Sequence, residues 1–306
     1  MTSPGVTEAE SVRAIATCLD VGINFLDTAY AYGRAGESDR RIADAIAGRR
    51  EEIVIATKIG LSFGPNGERI LDGSPSTLYR QCDESLRRLR TDRVELLFLH
   101  EPDPKVPIEE SALALRGLMD AGKARAIAIS NCKGDELERF AEVCPTAAVQ
   151  LPFNMLRRVV DPDVLARSRR YGASILAYWP LMKGLLAGRL PRDHVFDPSD
   201  GRRKYASYQG AEWNRNVDLV EALGEVARLE GLSVVELVLR WTIHQPSIVA
   251  AIVGAKRPDQ VVENARGLGP PLARDTLRAV EAALAAHEAS LVGSTGDVSS
   301  KAPRAG

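Results

Sequence analysis

Seven short apolar runs, separated by segments of helical period and closed almost every time by a polar residue, constrain this chain more than any other feature. The runs are Ile23-Asn24-Phe25-Leu26, Ile53 to Ala56, Val94 to Leu99, Ala124 to Ile129, Ala147 to Val149, Ala173 to Ala177 and Ile248 to Val253. Between them, apolar residues fall three or four apart: Val12, Ile15, Ala16 and Leu19; Ile42, Ala43 and Ile46; Leu78, Cys82, Leu86 and Leu89. Further helices are predicted over Ile108 to Asp120, around Glu136 to Phe140, through Val164 and Leu165, from Val217 to Leu229 and from Ser233 to Trp241. Short continuous runs of β-branched residues and leucine are how strands buried on both faces read, which means a parallel sheet covered by helices. The alternation therefore predicts βα repetition, as a barrel or as a doubly wound sheet.

The polar closures separate those two folds. The runs end in Asp27, Lys58, His100, Ser130-Asn131, Gln150, Tyr178 and Gly254-Ala255-Lys256-Arg257. In a closed barrel every strand end meets at one mouth, so residues from all strands share a site. An open sheet gathers its ligand at one switch point and normally carries G-x-G-x-x-G after its first strand. No such motif follows Phe25-Leu26. The expected fold is thus an α/β protein, a parallel-strand barrel with seven recognisable strands.

Composition narrows the partners. With 306 residues, 45% hydrophobic and 26% charged, the chain is an ordinary globular protein long enough for one barrel. A formal net charge of −1 argues against nucleic acid or an anionic membrane surface as partner. No uncharged apolar run reaches the length of a spanning helix; the richest stretch, Trp241 to Ala255, is broken by His244 and Pro246. Met1 to Glu10 lack the apolar core of a secretory signal. Cys18, Cys82, Cys132 and Cys144 form no C-x-x-C pair and no metal spacing, which predicts reduced thiols, no metal site and a cytoplasmic location.

Four closures suggest chemistry. Singly, each has a plain structural reading: Asp27 as a turn former or helix cap, Tyr32 as a loop aromatic, Lys58 as a strand lysine in need of a partner, His100 as a structural histidine. Together they suggest more. A phenol of ordinary pKa is a poor acid at neutral pH, but a nearby ammonium stabilises its phenolate and an aspartate can hold that ammonium in place. A histidine can orient a carbonyl oxygen or relay its proton. Such an acid suits a carbonyl whose carbon receives hydride, and no side chain donates hydride, so a nicotinamide cofactor is implied.

The segment Gly22-Ile23-Asn24-Phe25-Leu26-Asp27-Thr28-Ala29-Tyr30-Ala31-Tyr32-Gly33 resembles the aldo-keto reductase superfamily. The resemblance continues in order through Ala56-Thr57-Lys58, Leu99-His100, Ile129-Ser130-Asn131, Val149-Gln150, Ala177-Tyr178-Trp179-Pro180-Leu181 and Gly254-Ala255-Lys256-Arg257. It implies a (β/α)8 TIM barrel, a single domain over residues 1–291, that binds NADPH (NADP+) without a separate dinucleotide-binding domain and acts on a small-molecule carbonyl. By position, Tyr32 would be the general acid, Lys58 and Asp27 its tuning pair and His100 the substrate-orienting residue. Ser130, Asn131 and Gln150 would hold the nicotinamide carboxamide, with Tyr178 stacked on the ring. Backbone from Leu181 through Lys183 to Gly184 would approach the pyrophosphate. Gly254, Lys256 and Arg257 would serve the 2′-phosphate end, with Gln260 and Asn264 near the adenosine.

The chain also departs from the family's pattern. Trp179 stands where relatives usually carry a small residue, Val253 where a proline is common, and Cys132 where phenylalanine is frequent; Cys132 reads as a buried filler or as a redox-sensitive thiol. Relatives also carry a β-hairpin and a further strand ahead of the helix near residue 9, which Met1 to Val6 cannot supply, so incomplete barrel closure is expected. Residues 183–216 lack period and mix Arg202-Arg203-Lys204 with Tyr205, Tyr208 and Trp213; they are expected to form a lid rather than a nucleic-acid groove. The tail from Val292 to Gly306 is expected to be disordered. The expected function is NADPH-dependent reduction of an aldehyde or ketone, with a non-catalytic NADP(H)-binding redox sensor or regulatory subunit as the alternative. Oligomeric state is not legible in the sequence.

Overall fold

A computed structural model of the chain describes residues 5–33 and 35–292, which fall into two compact units. The first runs up to Pro152 and adds Val159–Tyr178 and Ser247–Ala265; the second comprises Phe153–Arg158, Trp179–Pro246 and the chain from Arg266 on.

The first unit contains the sheet. Strands β1 (Phe25–Asp27), β2 (Val54–Ile59), β5 (Val94–Leu99), β6 (Ala124–Ser130), β7 (Thr146–Pro152), β8 (Ser174–Tyr178) and β9 (Ile248–Ile252) pair in that order, every neighbour parallel. They form a nearly closed barrel: among the described residues β1 and β9 are its edges and do not pair with each other. The connecting helices are α1 (Glu8–Asp20), α2 (Glu37–Ala45), α3 (Pro75–Leu89), α4 (Ile108–Asp120), α5 (Gly134–Val143), α6 (Pro162–Tyr171) and α9 (Pro258–Arg266). The seven predicted strands are all present, with ends shifted by a few residues. The short antiparallel hairpin β3 (Leu61–Phe63) and β4 (Arg69–Leu71), rising directly after β2, was not expected, because three-residue strands show no readable alternation.

Period-two geometry explains why the runs are apolar throughout. One face of the strands (Ile55, Ile59, Leu97, Leu99, Ile127, Ile129 and Val149) is buried with helix residues such as Leu78, Leu86, Leu115 and Phe140. The other face (Ala56, Leu96, Phe98, Ala128, Ala148 and Leu176) meets itself as a separate interior cluster, small side chains alternating with large ones. A flat sheet could not bury that second face against itself. Closure does.

The second unit is helical, with α7 (Gly210–Leu229), α8 (Val234–Ile243) and α10 (Arg274–Val292). Helices α9 and α10 are additions to the sequence reading, and α7 starts seven residues earlier than its period suggested. Much of residues 183–216 is short 3-10 turns held by an aromatic cluster: the ring centroid of Phe196 lies 5.4 Å from Tyr208 and 5.8 Å from Trp213. Trp213 Nε1 donates to the Arg192 carbonyl at 2.8 Å, and Tyr208 Oη donates to the Met182 carbonyl at 2.5 Å. No described helix is long and apolar enough to cross a membrane. The expected disordered tail lies, beyond Val292, outside the described residues.

Candidate active site

The interior register delivers the strand-end residues to one mouth. Phe25, Ala56, Phe98, Ala128, Ala148 and Leu176 face the barrel interior. Two residues further along each strand come Asp27, Lys58, His100, Ser130, Gln150 and Tyr178, which share that inward parity. Six of the polar closures singled out in the sequence thus share the inward parity toward the C-terminal ends of the strands. The sheet brings them together.

Lys58 is the centre of the arrangement. Its side chain is 1% exposed, and its ammonium donates to Asp27 Oδ1 at 2.5 Å and to the Thr28 carbonyl at 2.9 Å. It lies 5.0 Å from the ring centroid of Tyr32 and 5.9 Å from that of Phe98. Burial disfavours the ammonium, but the Asp27 carboxylate and the Tyr32 hydroxyl outweigh that and raise its pKa, so Lys58 is a charged lysine. Burial is also the largest influence on Tyr32, raising its pKa against the lowering effect of Lys58. The resting pair is therefore a protonated phenol beside a protonated amine.

His100 is set edge-on to Tyr32, with ring centroids 5.9 Å apart and planes at 81°. Burial, then the positive charges of Lys58 and Arg69, push its pKa down to about 3. At neutral pH it is an uncharged imidazole. Its Nδ1 is buried without a hydrogen-bond partner among the described residues.

The remaining strand-end groups are stitched together. Gln150 Nε2 donates to Asp27 Oδ2 at 2.8 Å, and Ser130 Oγ donates to the Gln150 carbonyl at 3.1 Å. Asn131, held at a φ of 57°, donates from Nδ2 to the His100 carbonyl at 3.1 Å and accepts at Oδ1 from the Tyr178 hydroxyl at 2.8 Å. A left-handed φ is tolerated by asparagine better than by most residues and here turns the side chain back across the strand ends. Beyond β9, Gly254, Lys256 and Arg257 are exposed; an added Cβ at Gly254 would meet nothing within 4 Å. Gln260 Oε1 accepts from the Lys256 backbone N–H at 2.7 Å, Arg257 pairs with Asp259 at 3.1 Å, and Asn264 is buried on α9.

Leu181, Lys183 and Gly184 belong to the second unit. Met182, Lys183 and Gly184 carry φ values of 44°, 52° and 96°, a tight left-handed turn. The Lys183 ammonium sits 4.5 Å from the Trp179 ring centroid and 4.2 Å from that of Tyr205, and bonds the Tyr205 hydroxyl at 2.5 Å. The unusual Trp179 thus forms one wall of a cation–π clasp. Cys132 is buried, and burial pushes its thiol up to about 12, which favours the filler reading over a reactive thiol. Sequence reasoning missed Thr28: its role comes from a main-chain carbonyl, which no residue type announces.

Comparison with known proteins identifies the family. The aldo/keto reductase family profile matches residues 2–285. The chain is 34% identical over 260 residues to aldo-keto reductase YhdN of Bacillus subtilis, covering 84% of this chain and 78% of that protein. It is 31% identical to aldo-keto reductase yakc [NADP(+)] of Schizosaccharomyces pombe, covering 91% and 84%. Among solved structures, a glycerol dehydrogenase from Gluconobacter oxydans superposes with a TM-score of 0.87 at 32% identity, over 98% of this chain and 91% of that one.

Proposed function

The chain belongs to the aldo/keto reductase family of oxidoreductases, and from that premise we propose that it reduces a small aldehyde or ketone to the alcohol with NADPH, Tyr32 protonating the carbonyl oxygen. The observation that carries the reading is the buried Lys58 ammonium, held 2.5 Å from Asp27 and 5.0 Å from the Tyr32 ring.

Each residue's part follows from its charge state. Tyr32 keeps its proton at rest because its hydroxyl is desolvated, while the residue as a whole is 38% exposed, so a substrate can reach it. When its proton leaves, the adjacent ammonium stabilises the phenolate, and Asp27 keeps the ammonium from swinging away. His100 is too weak a base to arrive protonated; its neutral ring orients the oxygen through one N–H and leaves Tyr32 as the acid. The low basicity of His100 supports Tyr32 as the proton donor.

The residues present fit a nicotinamide cofactor. Gln150 uses its amide N–H on Asp27, which leaves its carbonyl oxygen for a carboxamide N–H. Ser130, Asn131 and Tyr178 add hydroxyl, amide and aromatic surfaces at the same strand ends. Exposed Lys256 and Arg257 precede the N-terminus of α9, a favourable setting for the 2′-phosphate dianion that distinguishes NADPH from NADH. Bound NADPH supplies the hydride for the carbonyl carbon, chemistry for which no side chain is competent.

The test is NADPH oxidation against a panel of aldehydes and ketones that includes glyceraldehyde and dihydroxyacetone, since one structural relative is a glycerol dehydrogenase. Tyr32→Phe is expected to lower turnover by about 10²-fold or more while NADPH still quenches tryptophan fluorescence. Binding without reduction of any panel member would replace the enzyme reading with a redox sensor. No dinucleotide binding at all would overturn both.

A further inference from the structure

Lys58 takes its orientation from two consecutive residues, and the second of them leads out of the barrel. Thr28 is completely buried. Its carbonyl accepts from Lys58 Nζ at 2.9 Å, while its own N–H donates to the Ala56 carbonyl at 2.8 Å. Its hydroxyl turns the opposite way: Oγ1 donates to Asp39 Oδ1 at 2.9 Å and lies 3.0 Å from the Ser38 hydroxyl. Asp39, on the first turn of α2, is also 0% exposed. One residue therefore connects the ammonium in the site to a buried carboxyl group on α2.

That carboxyl is poorly explained as a stabilising element. Asp39 Oδ2 is buried without a hydrogen-bond partner among the described residues, and so are Ser85 Oγ and Arg88 Nη1 on the facing helix α3. After burial, the groups acting on Asp39 are the Thr28 hydroxyl, Arg88 on α3, the Ser85 hydroxyl on α3, which faces the carboxyl without reaching hydrogen-bond geometry, and Arg40 on its own helix. A buried carboxyl with an unmet oxygen costs free energy that an apolar or amide side chain would avoid. Its one well-made bond goes to the residue that holds Lys58.

Building on the proposed reductase activity, we infer that Asp39 is a positioning residue which, through the Thr28 hydroxyl, fixes the carbonyl that aims the Lys58 ammonium at Tyr32. An ammonium has three donors; Asp27 and Thr28 take two, and the direction of the third depends on both acceptors staying in place. Releasing Thr28 lets its carbonyl tilt and lets Lys58 relax toward Asp27 alone. Tyr32 then loses part of the field that stabilises its phenolate. The expected signature is a weaker acid, with substrate and cofactor binding preserved.

The experiment compares Thr28→Val and Asp39→Ala with Thr28→Ser and Asp39→Asn, which keep the hydroxyl and the acceptor. The first pair should lower kcat by about tenfold, with KM and NADPH affinity within about twofold, and shift the alkaline limb of the kcat profile to higher pH. The second pair should return kcat to within about threefold of wild type and restore the limb. Tyrosinate absorbance, taken as the difference between each variant and the same variant carrying Tyr32→Phe, should show Tyr32 titrating at higher pH in the first pair. Thr28→Val is nearly isosteric and carries the test should Asp39→Ala not fold. Unchanged kcat, limb and titration in a folded Thr28→Val protein, with only its melting temperature lowered, would overturn the inference. Failure of the wild type to reduce any carbonyl would instead sink the reductase reading, and the absorbance titration would still decide this one.

Discussion

Gln150 and Asp27, 123 residues apart in the chain, share a hydrogen bond of 2.8 Å from Nε2 to Oδ2. Because Lys58 occupies the other oxygen, the Asp27 carboxylate is held from both sides and cannot rotate away from the ammonium. A single carboxylate thereby joins the lysine proposed to tune Tyr32 to a strand-end amide proposed for the cofactor.

This pair should behave as a unit when broken. Asp27→Ala leaves a fully buried ammonium without its counter-charge and is expected to destabilise the protein by about 3–5 kcal/mol. Adding Lys58→Met to it should recover a large part of that loss, because no buried charge then remains unpaired. Denaturant unfolding of the two single variants and the double variant measures the coupling; strict additivity would show that the two charges do not interact.

His100 should be silent across the physiological range. With its pKa near 3, the imidazole stays neutral in the folded protein, so its ring resonances should not titrate between about pH 5 and 8. A His100 inflection near the ordinary value of 6.5 would reassign the proton donor.

Asp39 should leave a mark on stability with a defined sign. Its folded pKa is raised from 3.8 to about 6, chiefly by burial, so between those values the folded state holds a proton that the unfolded state has lost. Stability from this group is therefore greatest below about pH 4 and falls by roughly 3 kcal/mol as pH rises through 6. Neutral His100 imposes the opposite slope over the same window, since its folded pKa is depressed. The difference in unfolding free energy between wild type and Asp39→Asn isolates the carboxyl, and should change steadily from pH 4 to pH 6 and then level off.

The cations beyond β9 should discriminate between cofactors. Lys256→Ala combined with Arg257→Ala is expected to weaken NADPH by about 10–100-fold and NADH by no more than about threefold. Asp259, already paired with Arg257 at 3.1 Å, lies beside the proposed phosphate position, so Asp259→Asn should strengthen NADPH binding modestly. Equal losses for the two cofactors would remove the phosphate assignment. Fluorescence titration with each dinucleotide decides it.

Much of this was legible in the chain because a barrel strand writes its own address. Apolar residues filling both faces announced β2, β5 and β6, and the first polar residue at an inward position marked the mouth: Lys58, His100 and Ser130. The hairpin Leu61–Phe63 with Arg69–Leu71 escaped because its strands are too short for a period to emerge. Helix α10 went unread because its apolar positions, among them Val280 and Leu284, are diluted by alanines that mark no face. In the site, the bonds of Thr28 and Asn131 were hidden because they run through a main-chain carbonyl and a left-handed backbone. Asp39 was hidden for another reason: an acidic residue in a first helical turn ordinarily faces solvent and complements the helix dipole, and here it is buried.

The three residues of β1 pair with β2 alone among the described residues, through Phe25, Leu26 and Asp27. Asp27 is therefore anchored on the thinnest piece of the sheet, while Lys58 lies on a strand bonded on both sides. Local opening free energies follow such support, so the β1 amides should exchange with solvent faster than those of β5 or β6. Each opening would take the counter-charge from the lysine while the rest of the barrel stayed folded. Heating the protein should then erode catalytic competence at temperatures where its global fold is still intact.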